Sequence, residues 1–201
     1  MKKKSWDIVE TRGEEYIQIN HLEFSDGESF FWLEVLVEGI GFESKLRCAF
    51  DISALHPSGG WLPNWSDFFA SLESICEGAI TKAILSNDEC HGDDFSLEFK
   101  PTSNEMKPDT TRSNTNSFPF PGPPSRSETA DVEVTLKFVG EESCTDLTHT
   151  IFLDMIDVRT AATSFMDAID SWGLKSHVFH SGKGFADAHR RLVNLGKAKV
   201  R

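Results

Sequence analysis

The 201-residue sequence lacks any hydrophobic run long enough to cross a bilayer, because none approaches the roughly 18 apolar residues of a membrane-spanning helix. The lysines after Met1 are followed by SWDIVE (5–10), which mixes polar and apolar residues where a signal peptide would have a continuous apolar stretch. We therefore expect a cytoplasmic protein that has no membrane partner.

Cysteine is scarce, and its spacing argues against two kinds of site. The four cysteines, Cys48, Cys76, Cys90 and Cys144, are far apart and form no CxxC pair. Such spacing does not make a disulfide framework, and a structural zinc site needs paired ligands at short intervals. The sequence also lacks a P-loop and the GxGxxG, HExxH and GxSxG motifs. We expect no metal, no cofactor and no catalytic residues.

Charge is unevenly distributed along the chain, whose formal net charge is −12. Residues 1–172 carry 13 Lys or Arg and 31 Asp or Glu, whereas residues 173–201 carry seven and one. An acidic body repels phosphates, so nucleic acid is not an expected partner. The basic C-terminal tail, with a short helix predicted over residues 185–195, is expected in solvent or against the acidic body. A basic arm that binds nucleic acid or an anionic surface is the alternative.

Proline is concentrated in one segment. Six of the eight prolines lie in residues 101–130, which contain no Leu, Ile or Val. Such a segment cannot bury enough apolar area to offset its ordering entropy, so we predict a flexible insertion within one α+β domain spanning residues 1–172. Residues 121–124 form a PxxP motif, which leaves open an adaptor function.

Alternation of apolar and polar residues predicts antiparallel strands at residues 16–24, 31–38, 45–52, 95–100, 132–138 and 146–153. Glycines at 39 and 41 predict a hairpin between the second and third of these. Apolar stripes at helical spacing predict helices over residues 63–79 and 157–172. The predicted fold class is α+β, a mainly antiparallel sheet meander with two principal helices packed on one face.

The candidate partner-binding residues lie on one predicted strand and near its ends. Glu34 and Glu38 point the same way as Trp32, and Glu43 follows the predicted turn. Aromatic side chains provide contact area and acids steer a basic partner, so these residues indicate a recognition surface. An ordinary solvated sheet face is the alternative. Trp61, in a loop rich in glycine and proline, is a further candidate that could instead cap the core.

The histidines form no recognisable catalytic pattern. His149 is expected to fill a partly buried strand position, whereas His21 and His56 are interpreted as surface groups. A small hydrolase-like enzyme would require His149, or Cys90 with His91, to meet carboxylates in a deep pocket.

Several stretches carry a family resemblance. They read SFFWLEVLV (29–37) before GFES (41–44), WSDFFASL (65–72), FSLEFKP (95–101) and VEVTL (132–136), with TIFL (150–153) before a late helix. This order, over roughly residues 15–172, resembles small bacterial immunity proteins of the WapI type and neighbouring uncharacterised domains found with polymorphic toxins. The resemblance implies a cytoplasmic, non-enzymatic protein that binds and neutralises a cognate toxin.

Overall fold

The computed structural model describes residues 4–11, 13–24, 30–51, 63–87, 93–102, 131–140, 145–179 and 181–197. Within them, eight strands and four helices follow one another along the chain. In order these are β1 (Trp6–Val9), β2 (Tyr16–Phe24), β3 (Phe30–Gly39), β4 (Phe42–Asp51), α1 (Pro63–Cys76), β5 (Ala83–Ser86), β6 (Asp93–Pro101), β7 (Val132–Gly140), β8 (Thr145–Leu153), α2 (Met155–Trp172), α3 (Lys175–Val178) and α4 (Gly182–Lys197).

The strands form two antiparallel sheets of four strands each, in the order β1-β2-β3-β4 (sheet A) and β5-β6-β7-β8 (sheet B). The predicted α+β class and meander connections are confirmed. α1 lies between β4 and β5 in the chain, at the point where the strands divide into two sheets, and every hydrogen-bonded pair within a sheet is consecutive in sequence. The predicted hairpin is also confirmed, with Gly39 paired to Phe42 and Gly41 at a φ of 82°.

α2 has well-defined ends that follow from its sequence. The Asp154 side chain accepts hydrogen bonds from the backbone amides of Ile156 and Asp157, and Gly173 ends the helix at a φ of 81°. The helix ends at Trp172, as predicted, but it begins at Met155, two residues before the predicted start. α1 ends at Cys76, three residues before the predicted end.

One hydrophobic core joins both sheets and the helices. The Trp6 ring of β1 stacks with Phe99 of β6 and meets the edge of Phe165 from α2, at centroid distances of 6.5 and 4.9 Å. Phe68 of α1 lies 5.7 Å from the same Trp6 ring, and all four side chains are almost completely buried. Burial of aromatic side chains of this size is a dominant stabilising contribution.

The basic C-terminal region folds onto the acidic body. α4 is longer than the predicted short helix, and its Ala188 and Leu192 side chains are buried. The Nε2 atom of His189 lies 3.5 Å from a carboxylate oxygen of Asp167 on α2. α4 is therefore packed against the body and is not a purely solvated tail.

The ends of the two strands that flank the Pro-rich insertion lie side by side. Pro101 at the end of β6 is paired with Val132 at the start of β7, and the Thr102 amide donates to the Asp131 carbonyl at 2.9 Å. The strands on either side of the insertion are thus neighbours in sheet B. Residues 103–130 lie outside the described part of the chain.

Candidate recognition face on sheet A

Sheet A has an outer face that carries most of the predicted binding residues. Inward side chains such as Leu33, Val35 and Val37 are fully buried, so the alternate residues of β3 point outward. The antiparallel register continues this face across β2, β3 and β4. We call it the sheet A outer face and define it by Tyr16, Gln18, Asn20, Glu23, Trp32, Glu34, Leu36, Glu38, Glu43, Lys45 and Arg47.

The register brings Trp32, Glu34, Glu38 and Glu43 onto this one face. The first three alternate along β3, and Glu43 of β4 is directly opposite Glu38. Their shared orientation agrees with the sequence pattern. Trp61 lies outside the described residues.

Two of the acidic groups on the face have basic partners on β4. Lys45 Nζ lies 2.5 Å from a Glu34 carboxylate oxygen, and Arg47 donates to Glu23 at 2.8 Å. The Arg47 guanidinium also lies 4.6 Å from the centroid of Trp32, within the range of a cation–π interaction. Charge at the Trp32 end of the face is therefore largely balanced.

The opposite end of the face is more acidic. Glu38 and Glu43 form a cross-strand pair of like charge, an arrangement that costs stability. Tyr16 is directly opposite Glu38 on the other side, and its hydroxyl donates to the Glu38 carboxylate. This hydrogen bond, together with burial and the charges of Glu38, Glu43 and Asp7, raises the pKa of Tyr16.

Sequence reasoning did not single out Tyr16 as part of the site. The signal was present, because Tyr16, Gln18 and Asn20 alternate with Ile17 and Ile19 along β2. The pairing of Tyr16 with Glu38 could not be predicted from this alternation, because the register between strands depends on the turn that connects them.

The interpretation of His21 as a surface group is wrong. Its side chain is 6% exposed, and its ring lies 6.0 Å from that of Phe31 and 6.1 Å from that of Trp172. A register shift between His21 and Glu23 turns Glu23 outward while His21 stays inward. His56, Cys90 and His91 lie outside the described residues.

His149 is buried in a strand, as predicted, with 7% of its surface exposed. Its Nε2 lies 3.8 Å from a carboxylate oxygen of Glu15. Burial lowers the pKa of His149, and the charge of Glu15 opposes that shift. In the described ranges, no group of three or more His, Cys, Asp or Glu side chains could hold a metal ion.

A separate groove of about 750 Å³ lies between β1, α2 and α4. Three of its hydroxyl groups, all on α2, have partners within the fold. Thr160 and Thr163 donate to carbonyls one turn earlier in α2, and Ser164 accepts from the Asp7 amide. The groove therefore offers these hydroxyls little freedom to take part in chemistry.

The sequence matches no protein-family model and no curated protein. Among solved structures, the chain is similar to one described as the structure of the plant transcriptional regulator PBF-2, with 8% sequence identity and a TM-score of 0.40. The similarity covers 89% of this chain and 95% of that chain. Of the helices that the structure describes, none is both long enough and apolar enough to cross a membrane.

Proposed function

We propose that this protein is a non-enzymatic binding protein that recognises a basic protein partner through the sheet A outer face. More specifically, we propose that it is a cytoplasmic immunity protein that neutralises a cognate bacterial toxin. The observation that carries the proposal is the like-charge pair of Glu38 and Glu43 beside Tyr16, on a face that also presents Trp32. Neither carboxylate is within ion-pair distance of a basic group in the described residues.

The charge pattern favours a basic partner for a physical reason. Two carboxylates facing each other repel, and a Lys or Arg side chain from a partner would relieve that repulsion on binding. Aromatic groups beside the acids would supply apolar contact area, as in the anchors that dominate many protein interfaces. Functional surfaces often keep arrangements that reduce the stability of the free protein, and the repulsion between these two carboxylates is such an arrangement.

Co-expression with the product of the adjacent gene tests the proposal. We expect a complex and protection of the host cell from that product. The double variant Glu38→Gln/Glu43→Gln should weaken the complex at least about tenfold and reduce its salt dependence, because steering by charge is lost. Trp32→Ala should weaken it through lost contact area.

Sheet B provides a matched control. Asp94 and Asp146 are exposed acids at the end of its outer face, both opposite Val139. Asp94→Asn/Asp146→Asn removes the same charge and should leave binding unchanged. Absence of both complex and protection would argue against the toxin partner, and equal loss in the two double variants would argue against the sheet A outer face.

An enzymatic function has one observation in its favour, the contact between His149 and Glu15. The imidazole is 7% exposed and lies under the ring of Phe42, which leaves a substrate no direct path to it. The pair therefore supports a hydrolase less well than the outer face supports a binding protein. The adaptor alternative depends on residues 121–124, which are outside the described residues.

A further inference from the structure

His149 lies where sheet B meets the end of the β3–β4 hairpin of sheet A. Its imidazole is on the inner face of β8, beside the fully buried Leu136 of β7. The ring of Phe42, the first residue of β4, packs against it with centroids 5.2 Å apart and an interplanar angle of 80°. One sheet thus covers a titratable group of the other.

Gly39 provides the space that the Phe42 ring occupies. The two residues are paired across the hairpin, and a Cβ atom at position 39 would lie 2.2 Å from Cε1 of the ring. Any larger residue at this position would displace the ring. The absence of a side chain at Gly39 therefore allows Phe42 to stay over His149.

Glu15, from the connection between β1 and β2, is the charged group that faces the imidazole. Its carboxylate is 3.8 Å from Nε2, which is too far for a hydrogen bond. In the described part of the chain, Nε2 of His149 has no hydrogen-bond partner. A neutral imidazole tolerates this environment, whereas an imidazolium would need water or a closer carboxylate.

We propose that Gly39, Phe42 and His149 form an acid-sensitive latch, which holds the β3–β4 hairpin against β8 while the imidazole is neutral and releases the hairpin end when the imidazole binds a proton. The hairpin end is the part that can move, because Phe42 is 40% exposed and the neighbouring Ile40 is 68% exposed. The latch does not depend on the proposed partner.

The direction of the pH dependence follows from proton linkage. Burial lowers the pKa of His149 in the closed state, whereas an open, hydrated imidazole has an ordinary pKa of about 6.5. Above about pH 6.5 the imidazole is mainly neutral in both states, so its protonation does not favour the open state. As the pH falls below this value, the open state binds more protons, and the opening equilibrium rises by up to about tenfold per pH unit until the closed-state pKa is passed.

Hydrogen exchange of the wild-type chain between about pH 7.5 and about pH 5, corrected for intrinsic exchange rates, tests the latch. We expect amides near Gly39 and Phe42 to lose protection as the pH falls, while those of β7 keep it. His149→Gln, which cannot take up the proton, should remove this pH dependence. His189→Gln changes a partly exposed histidine on α4 and should behave as the wild type. The proposal would be overturned if His149→Gln still lost protection as the pH falls. It would also be overturned if the protection of these amides in the wild type did not change with pH.

Two further variants keep the test decisive if His149→Gln does not fold. Glu15→Gln removes the charge that opposes the pKa shift, so the closed-state pKa of His149 should fall further. The onset of opening should stay near the open-state pKa, but opening should continue to rise to lower pH than in the wild type. Gly39→Ala should displace Phe42 and raise the pKa of His149 toward its ordinary value, measured by NMR titration of the ring. An unchanged titration in Gly39→Ala would show that the ring of Phe42 does not control access to His149.

Discussion

The guanidinium of Arg191 on α4 binds both carboxylate oxygens of Glu73 on α1, at 2.6 and 3.0 Å. This two-point contact is the geometry in which arginine binds carboxylates most effectively. It joins the basic C-terminal region to the acidic body of the same chain. The opposite charges of the two parts of the sequence therefore attract each other within one chain, at the contact between Arg191 and Glu73.

The first prediction concerns this ion pair. Arg191→Gln should lower the free energy of unfolding by about 0.5–1 kcal/mol, because the Arg191 side chain is about half exposed and solvent screens the pair. Urea denaturation at low and high salt measures the effect, which should shrink with salt. Arg190→Gln, on the same helix with a contact to Asp187, is the control and should cost less. Equal losses would mean that the contact with Glu73 adds nothing.

The longer strands could be predicted from the sequence because their alternation is strong. β3 and β7 alternate buried and outward residues over nine or ten positions, so their type and inner face were readable. β1 and β5 were not predicted, because four residues are too few to establish a period. Their place in the fold depends on distant partners, such as Ile19 opposite Trp6.

The candidate face could be predicted in part. The alternation of β3 places Trp32, Glu34 and Glu38 together without any knowledge of the fold. The ion pair of Glu34 with Lys45 requires the strand register, which the hairpin turn sets. The contact of His149 with Phe42 joins the two sheets, and no local pattern in the sequence encodes such a distant approach.

The second prediction concerns Arg159 of α2, which ties two helix ends together. Its guanidinium donates to the carbonyl of Cys76 at the end of α1, at 3.0 and 3.2 Å, and to the carbonyl of Leu195 in α4 at 3.3 Å. Positive charge near the C-terminal carbonyls of a helix is stabilising. Arg159→Gln should therefore reduce the free energy of unfolding by about 2 kcal/mol, measured by urea denaturation.

Arg159→Lys separates charge from geometry. A lysine ammonium keeps the charge but lacks the planar fork that reaches two carbonyls at once. We expect an intermediate loss of stability. If Arg159→Lys matches the wild type, charge alone is responsible; if Arg159→Gln also matches it, the three hydrogen bonds do not stabilise the helix ends.

The third prediction concerns the attachment of β1 to α2. The indole N–H of Trp6 donates to the Ala161 carbonyl at 3.0 Å, and the ring is fully buried. Trp6→Phe keeps an aromatic ring but loses this hydrogen bond and leaves a void, so it should cost about 2–3 kcal/mol. Thermal or urea unfolding measures the loss. Trp32→Phe on the half-buried outer face should cost clearly less, and a comparable loss would contradict this account of the core.

The fourth prediction uses Tyr16, the single tyrosine of the chain, whose ionisation can be followed directly by ultraviolet absorbance. Its pKa should exceed the ordinary value of 10.0, and Glu38→Gln should lower it because the principal cause of the shift is the hydrogen bond to Glu38. Glu43→Gln removes only a more distant charge and should lower it less.

The raised pKa of Tyr16 also fixes a direction for alkaline stability. The folded chain holds this proton more tightly than the unfolded chain, so the contribution is complete below about pH 10 and is lost as the pH rises through the folded-state pKa. Glu38→Gln should make unfolding less sensitive to alkali in this range. A titration of Tyr16 that is the same in the wild type and Glu38→Gln would mean that the hydroxyl does not donate to Glu38. The acidic end of the sheet A outer face would then lack the arrangement on which the proposed recognition of a basic partner rests.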